Sequence, residues 1–162
     1  MTTRPVSVGG VLIGGGAPVS IQSMLSVPAH DIEGSLRQAD ALERAGCQII
    51  RAAVPDQQAV RLIAALKEHT RMPVVADIHF DYRLALESVA AGADKIRINP
   101  GNIGGANRVA RVAEACAARH LPIRIGVNSG SVERELLVKF GGPTAEAMVE
   151  SAARHAALLE QC

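Results

Sequence analysis

The chain contains few of the residues that build aromatic binding surfaces. Only 2% of its 162 residues are aromatic, and tryptophan is absent. Proteins that bind single-stranded nucleic acid stack its bases on aromatic side chains, which this chain largely lacks. We therefore expect no nucleic-acid partner. The formal net charge is only +1, which provides no overall attraction to nucleic acid or to an anionic membrane. Any preference for a charged ligand must therefore come from a local cluster of side chains.

Cysteine is also scarce, with three residues far apart in the sequence: Cys47, Cys116 and Cys162. They include no Cys-x-x-Cys pair, so we expect neither a zinc site nor an iron–sulfur site made by this chain alone. Sparse cysteine also favours a reducing compartment, and we expect a cytoplasmic protein. There is no long apolar run and no signal-peptide pattern, so no membrane partner is expected.

Strand and helix patterns alternate along the chain. A hairpin is predicted over residues 6–13, with Gly9-Gly10 as its turn. Amphipathic helices are predicted to begin at Asp31, Asp56 and Asp81, and another carries Cys116 on its apolar stripe. A long polar loop is expected over residues 129–143, before a last helix over residues 144–159. The predicted strands cover residues 18–24, 47–54, 73–78, 95–99 (stopped by Pro100, with a turn at Gly101-Asn102) and 122–128.

Strands that alternate with helices predict parallel pairing and right-handed crossovers. An open doubly wound sheet usually has a glycine-rich first βα turn, and residues 24–30 do not form one. The fold class is therefore predicted as α/β, an incomplete TIM-type (βα)8 barrel of about five βα units with an N-terminal β-hairpin. A complete barrel needs roughly 250 residues, so the chain is either a compact five-unit protein or the front part of a longer one.

Polar side chains end successive predicted strands. Their mostly even spacing places neighbours on one face of each strand, and in a barrel that face points inward near the carboxyl-terminal mouth. We therefore expect one cluster at the carboxyl ends of the strands, made of Arg51, Asp77, His79, Arg97, Asn99, Arg124 and Asn128.

This cluster contains three guanidinium groups and one carboxylate, so about two positive charges remain to be neutralised. Because arginine binds phosphate oxygens in pairs and stays protonated, a small phosphorylated or diphosphorylated ligand is predicted. The alternative is that the arginines form structural ion pairs with Asp77 and with other acids. His79 is either a functional group oriented by Asp77 or a structural histidine. The other histidines, His155 among them, are expected on loops or helix surfaces without a role.

Three segments carry a resemblance to a known family. Residues 75–80 (VADIHF), 97–104 (RINPGNIG) and 123–131 (IRIGVNSGS) closely resemble the 4-hydroxy-3-methylbut-2-enyl diphosphate synthase family. Residues 18–24 and 50–55 match as well, so the resemblance covers essentially the whole chain.

The resemblance implies an oxidoreductase of the methylerythritol phosphate pathway of isoprenoid biosynthesis, acting on CH or CH2 groups. Such enzymes reductively open the ring of 2-C-methyl-D-erythritol 2,4-cyclodiphosphate, which binds in an N-terminal (βα)8 barrel. A separate C-terminal domain holds a [4Fe-4S] cluster, ferredoxin or flavodoxin donates electrons, and the full-length enzyme is a homodimer. By motif match, Arg51, Arg97, Arg124 and Asn128 hold the diphosphate, with Asp77, His79 and Asn99 nearby.

Two departures from the family pattern affect these expectations. The family has a Thr-Asn-Thr-rich loop where this chain has residues 25–30, LSVPAH. The chain also stops after the fifth βα unit, so residues 1–162 are interpreted as the N-terminal part of the substrate-binding barrel, without the cluster ligands or any catalytic residue. Alone, this segment is expected to be inactive. The alternatives are a non-redox phosphate-binding or pterin-binding barrel and a non-catalytic half-barrel.

Overall fold

The computed structural model describes residues 3–162, which form seven strands, seven α-helices and one short 3-10 helix. The strands are β1 (Val6–Val8), β2 (Val11–Ile13), β3 (Gln22–Met24), β4 (Ile49–Val54), β5 (Val74–Ile78), β6 (Lys95–Ile98) and β7 (Ile123–Ile125). The helices are α1 (Ile32–Arg44), α2 (Gln57–His69), α3 (Tyr82–Ala90), α4 (Pro100–Ile103), α5 (Ala106–Ala117), α6 (Arg134–Phe140) and α7 (Ala145–Glu160), and the 3-10 helix is Ser129–Ser131.

The main sheet has five strands in the order β3-β4-β5-β6-β7, and every neighbouring pair is parallel. Each strand thus pairs with the next one along the chain, as in a barrel. Within residues 3–162 the sheet does not close, because β3 and β7 remain its edges. The prediction of an α/β, incomplete TIM-type barrel with an N-terminal hairpin is confirmed.

The helices cover one face of this sheet. Side chains alternate along each strand, and one set, including Ile50, Val54 and Ile98, is buried in the main apolar core. The helices contribute Leu62, Leu66 and other side chains to the same core, none of them more than 9% exposed. Burying each such side chain contributes roughly 1.5–3 kcal/mol. The opposite face of the sheet is left for the polar side chains at the strand ends.

Three aspartates begin helices, as their sequence positions predict. Asp31 accepts a hydrogen bond from Gly34 N at 2.8 Å, and Asp56 accepts one from Ala59 N at 3.0 Å. Asp81 caps α3 in the same way. These side chains satisfy amide groups that have no partner inside the helix. They fix where each helix starts after its strand, and so the path of the chain above the sheet.

The N-terminal hairpin covers the lower part of the inner sheet face. β1 and β2 are antiparallel around the Gly9-Gly10 turn, as predicted. Val8 packs against Ile49 and Val75, and all three are at most 1% exposed. An incomplete barrel leaves part of its inner face open, but at Val75 the hairpin covers that face.

Four segments differ from their predicted form. The strands predicted over residues 18–24 and 122–128 are only the three-residue strands β3 and β7. The expected loop over residues 129–143 contains the 3-10 helix and α6, whose Leu136 is fully buried against α7. The turn expected at residues 100–102 is the short helix α4, with Pro100 in its first turn. Proline suits this position because its missing N–H would have no helical partner there.

None of the helices described in residues 3–162 has both the length and the apolar character that crossing a membrane requires.

Candidate anion-binding site

Asp77 is the centre of the polar cluster. It lies on β5 and is 1% exposed. Its Oδ2 accepts hydrogen bonds from Arg51 Nε at 3.1 Å and Arg51 Nη2 at 2.5 Å, and its Oδ1 accepts one from Arg97 Nη1 at 3.1 Å. One carboxylate therefore fixes two guanidinium groups, one on each oxygen. Charge-assisted pairs of this kind are shorter and stronger than neutral hydrogen bonds.

The strand register brings these side chains together. Asp77 lies opposite Arg97, and Arg97 lies opposite Arg124 on the last strand. On the other side, Arg51 lies opposite Val75, two residues before Asp77. Residues two apart on a strand point to the same face of the sheet, and so do residues paired across neighbouring strands. The side chains of these three arginines and of Asp77 therefore all lie on the inner face. Arg97 and Arg124 are thus on the same side of the sheet, as the cluster requires.

Arg124 completes the cationic surface. It is exposed, and no carboxylate in residues 3–162 forms an ion pair with it. Within the same residues, Asp77 is the acid paired with both Arg51 and Arg97. The alternative in which further acids neutralise the arginines therefore finds no support in the described residues, and three guanidinium groups against one carboxylate leave two positive charges.

Lys95 adds to this surface and was missed from the sequence. It is half-buried at the start of β6, two residues before Arg97, and so lies on the same face. Burial, and to a lesser degree the charge of Arg124, lowers the pKa of its ammonium group. The same two-residue spacing that identified the other pairs would have identified Lys95.

His79 lies at the edge of the cluster. Its Nε2 is 3.5 Å from Asp77 Oδ2, and its side chain is 37% exposed. This distance is too long for a strong hydrogen bond, so Asp77 is held by the two arginines rather than by the imidazole.

The two asparagines have other hydrogen bonds. Asn99 is 2% exposed, and its Oδ1 caps α4 by accepting from Gly101 N at 3.1 Å. Asn128 is exposed, and its Oδ1 caps the 3-10 helix by accepting from Gly130 N at 3.0 Å. Both follow their strands as predicted, but within residues 3–162 neither is hydrogen-bonded to the arginines. They shape the loops beside the cluster.

Gly126 holds Arg97 from the other side. Its carbonyl oxygen lies 3.4 Å from Arg97 Nη2. A Cβ atom at residue 126 would overlap the Arg97 guanidinium group, whereas Gly105 has no atom within 4 Å of its ideal Cβ position. A side chain at residue 126 would therefore displace the Arg97 guanidinium group, which glycine allows to lie between Asp77 and β7.

The loop with the unusual sequence contacts the cluster through its backbone, because Leu25 donates its N–H to the carbonyl oxygen of Arg51 at 2.9 Å. Ser26 and Val27 donate their backbone N–H groups to Gln38 Oε1, at 3.0 and 3.2 Å. The loop lines a separate groove of about 390 Å³ with Ala53 and Asp56. Its altered sequence therefore affects a neighbouring surface.

Comparison with known proteins identifies the family. The GcpE TIM-barrel domain family matches residues 3–162. The chain belongs to this family. It is 53% identical over 158 residues to 4-hydroxy-3-methylbut-2-en-1-yl diphosphate synthase (flavodoxin) of Listeria monocytogenes, covering 98% of this chain and 43% of that protein. The synthase of Ruminiclostridium cellulolyticum is 53% identical, and the match covers 98% of this chain and 45% of that protein. The synthase of Bacillus cytotoxicus is 54% identical, and the match covers 98% of this chain and 43% of that protein.

The GcpE-family chain thus spans less than half the length of these relatives. Among solved structures it resembles dihydropteroate synthase from Stenotrophomonas maltophilia, with a TM-score of 0.65 at 15% identity and 98% and 61% of the two chains covered. It also resembles dihydropteroate synthase from Xanthomonas albilineans, with a TM-score of 0.63 at 14% sequence identity. That match covers 97% of this chain and 63% of the other. At this identity the similarity shows the barrel fold alone.

The donor set for an iron–sulfur cluster is not present in this GcpE-family segment. Cys47 is buried and its Sγ donates to Ile49 O at 3.1 Å, while Cys162 is exposed at the end of the chain. Cys116 is buried on α5, as predicted, and burial raises the pKa of its thiol to about 11. In residues 3–162 no three histidine, cysteine or acidic side chains gather as metal ligands. A [4Fe-4S] cluster does not fit the residues described.

One expectation about the GcpE-family chain is wrong. His155, predicted on a helix surface, is only 8% exposed and lies against Glu133. A polar residue on an amphipathic helix is ordinarily assigned to the solvent side, and no pattern near His155 in the sequence points to its acidic partner.

Proposed function

We propose that residues 1–162 form the N-terminal part of the substrate-binding (βα)8 barrel of a 4-hydroxy-3-methylbut-2-en-1-yl diphosphate synthase. The family match, and relatives more than twice as long at 53% identity, support this assignment. The five βα units account for the front of such a barrel. The remaining strands and a C-terminal iron–sulfur domain then belong to further residues of the full-length protein.

The site in this segment binds the diphosphate part of 2-C-methyl-D-erythritol 2,4-cyclodiphosphate. The single observation that carries this proposal is that Asp77 aligns Arg51 and Arg97 on the inner face while leaving two positive charges with Arg124. Guanidinium groups fixed in this way can each bind two phosphate oxygens. They lose little further conformational entropy when the ligand binds, because Asp77 already orders them. In this account Arg51, Arg97, Arg124 and Asn128 hold the diphosphate, with Asp77, His79 and Asn99 around them.

The remaining assignments rest on the resemblance and on the names of the relatives. Those relatives are named as flavodoxin-dependent, so flavodoxin or ferredoxin is proposed as the electron donor of the full-length protein, in the cytoplasm and as a homodimer. A [4Fe-4S] cluster supplies the electrons for ring opening in that family. Because its ligands are not found in residues 3–162, we assign no catalytic step to residues of this segment.

A non-redox barrel remains the alternative from another functional class. The dihydropteroate synthase structures share the fold at 14–15% identity, whereas the synthases share 53% of the sequence. The higher identity favours the synthase assignment. A non-catalytic half-barrel has no observation of its own in its favour.

Binding measurements on the natural full-length protein test the proposed site. Arg124→Gln is the informative change, because Arg124 has no carboxylate partner in the described residues and its loss leaves the Asp77 pairs intact. Hydrogen bonds to charged groups contribute about 1.5–3 kcal/mol each. We therefore expect calorimetry to give a dissociation constant for the cyclic diphosphate that is raised roughly 10- to 100-fold.

The matched control is Arg71→Gln. Arg71 is also exposed but precedes β5, at the opposite end of the sheet. The dissociation constant of the Arg71→Gln variant for the cyclic diphosphate is expected to equal that of the wild type. Equal affinities of the Arg124→Gln variant and the wild type would exclude the proposed site.

A further inference from the structure

A second group of buried polar atoms lies next to the anion-binding site. Six buried side-chain atoms lack a hydrogen-bond partner within residues 3–162, and four of them belong to Asn99 (Nδ2), Glu133 (Oε2), Ser151 (Oγ) and His155 (Nε2). Buried polar atoms are normally paired, so an unpaired one needs an explanation. Three such residues near one histidine that is itself of this kind are more than the packing of α7 requires.

His155 connects the members of this group. Its Nε2 lies 2.7 Å from Glu133 Oε1, although without the alignment of a regular hydrogen bond. The same edge of the ring also approaches Gly101, where an ideal Cβ would be 3.5 Å from His155 Nε2 and 3.3 Å from Asn99 Oδ1. The imidazole thus lies beside both Glu133 and the turn formed by Asn99 and Gly101.

These two segments border the arginine cluster. The Asn99 turn directly continues β6, which carries Arg97. Glu133 follows the 3-10 helix that Asn128 caps, just after β7 and Arg124. One buried side chain on α7 therefore contacts the loops that leave two neighbouring strands of the site.

Glu133 needs a charged or hydrogen-bonding neighbour. Burial raises the pKa of its carboxyl group, but the nearby Ser151 hydroxyl, its own backbone and the charges of His155 and Arg154 together lower it. The carboxylate is thus ionised at neutral pH with one oxygen buried and unpaired. An apolar side chain in place of His155 would remove one of the groups that offset this partly buried charge.

We propose that His155 is a positioning residue for the anion-binding site, and this proposal rests on the proposed function. By contacting Glu133 and lying beside the segment Asn99–Gly101, it holds the loops after β6 and β7 together. The spacing of Arg97, Arg124 and Asn128 around the diphosphate depends on that contact. His155 itself does not touch the ligand.

The test compares three substitutions in the natural full-length protein. Glutamine places an amide close to the position of Nε2, asparagine places it near Nδ1, and leucine fills the volume without a polar atom. We expect His155→Gln to retain the wild-type dissociation constant for the cyclic diphosphate. His155→Asn and His155→Leu should raise it about tenfold, because neither variant keeps the contact with the Glu133 carboxylate. His69→Gln, a change at an exposed histidine paired with Asp40, serves as the control.

A second readout needs no ligand. Hydrogen–deuterium exchange in residues 99–104 and 129–133 should be about tenfold faster in His155→Leu than in His155→Gln, with α1 unchanged in both. Unchanged exchange in both loops of His155→Leu would overturn the proposal. If the wild-type protein does not bind the diphosphate at all, the proposed function fails, while the exchange rates still decide whether His155 joins the loops.

Discussion

Gly126→Ala is expected to weaken binding of the cyclic diphosphate by roughly 10- to 100-fold while leaving the fold intact. The new methyl group would occupy the position of the Arg97 guanidinium. Arg97 would then have to leave Asp77 and the carbonyl oxygen of Gly126, and its contact with the phosphate would be lost. Because the backbone at Gly126 does not adopt a positive φ, alanine adds a steric conflict with one side chain and no backbone strain.

Calorimetric titration and circular dichroism of the natural full-length protein measure the two parts of this expectation. Gly105→Ala is the matched control, since an alanine there meets no atom within 4 Å and φ is −65°. It should bind as the wild type does. Wild-type affinity in Gly126→Ala would mean that the position of Arg97 does not matter for the ligand, contrary to the proposed site.

Asp77→Asn is expected to lower the free energy of unfolding by about 2–4 kcal/mol. Removing one partner of a buried ion pair typically costs about 3–5 kcal/mol because the other charge stays buried. Here the cost is reduced, since the side chains of Arg51 and Arg97 are 21% and 14% exposed and retain some contact with water. The asparagine leaves two guanidinium groups close together without the carboxylate that holds them.

Added pyrophosphate should restore part of this loss. An anion that binds the folded state stabilises it, and pyrophosphate supplies negative charge to the two guanidinium groups that Asp77→Asn leaves unpaired. Urea unfolding with and without pyrophosphate measures both effects. Asp81→Asn is the control, because asparagine caps a helix as well as aspartate does and the Asp81–Arg83 pair is exposed. Equal unfolding free energies for the two variants would refute the role given to Asp77.

The centre of the site could be predicted from the sequence because it depends on two simple regularities. Side chains two residues apart share a strand face, and consecutive parallel strands of βα units lie side by side. Asp77, Arg97 and Arg124 follow from these regularities alone, and the register aligns them as expected. Lys95 follows from the same regularity and was overlooked.

The parts that were not predicted depend on contacts between distant segments. Nothing in residues 6–13 indicates that the hairpin packs on Ile49 and Val75, since this contact forms only after the sheet has formed. α6 was missed because it is short and Glu133 provides no side-chain cap to mark its start. His155 was misassigned because its burial depends on Glu133, which reaches it only through the packing of α7.

The most direct test of the central claim is a crystal structure of the natural full-length protein with the cyclic diphosphate bound. We expect phosphate oxygens about 2.7–2.9 Å from the guanidinium nitrogens of Arg51, Arg97 and Arg124, with Asp77 still paired to Arg51 and Arg97. Density for the diphosphate away from the inner sheet face, such as in the groove between α2 and α3 lined by Arg61 and Glu87, would contradict it.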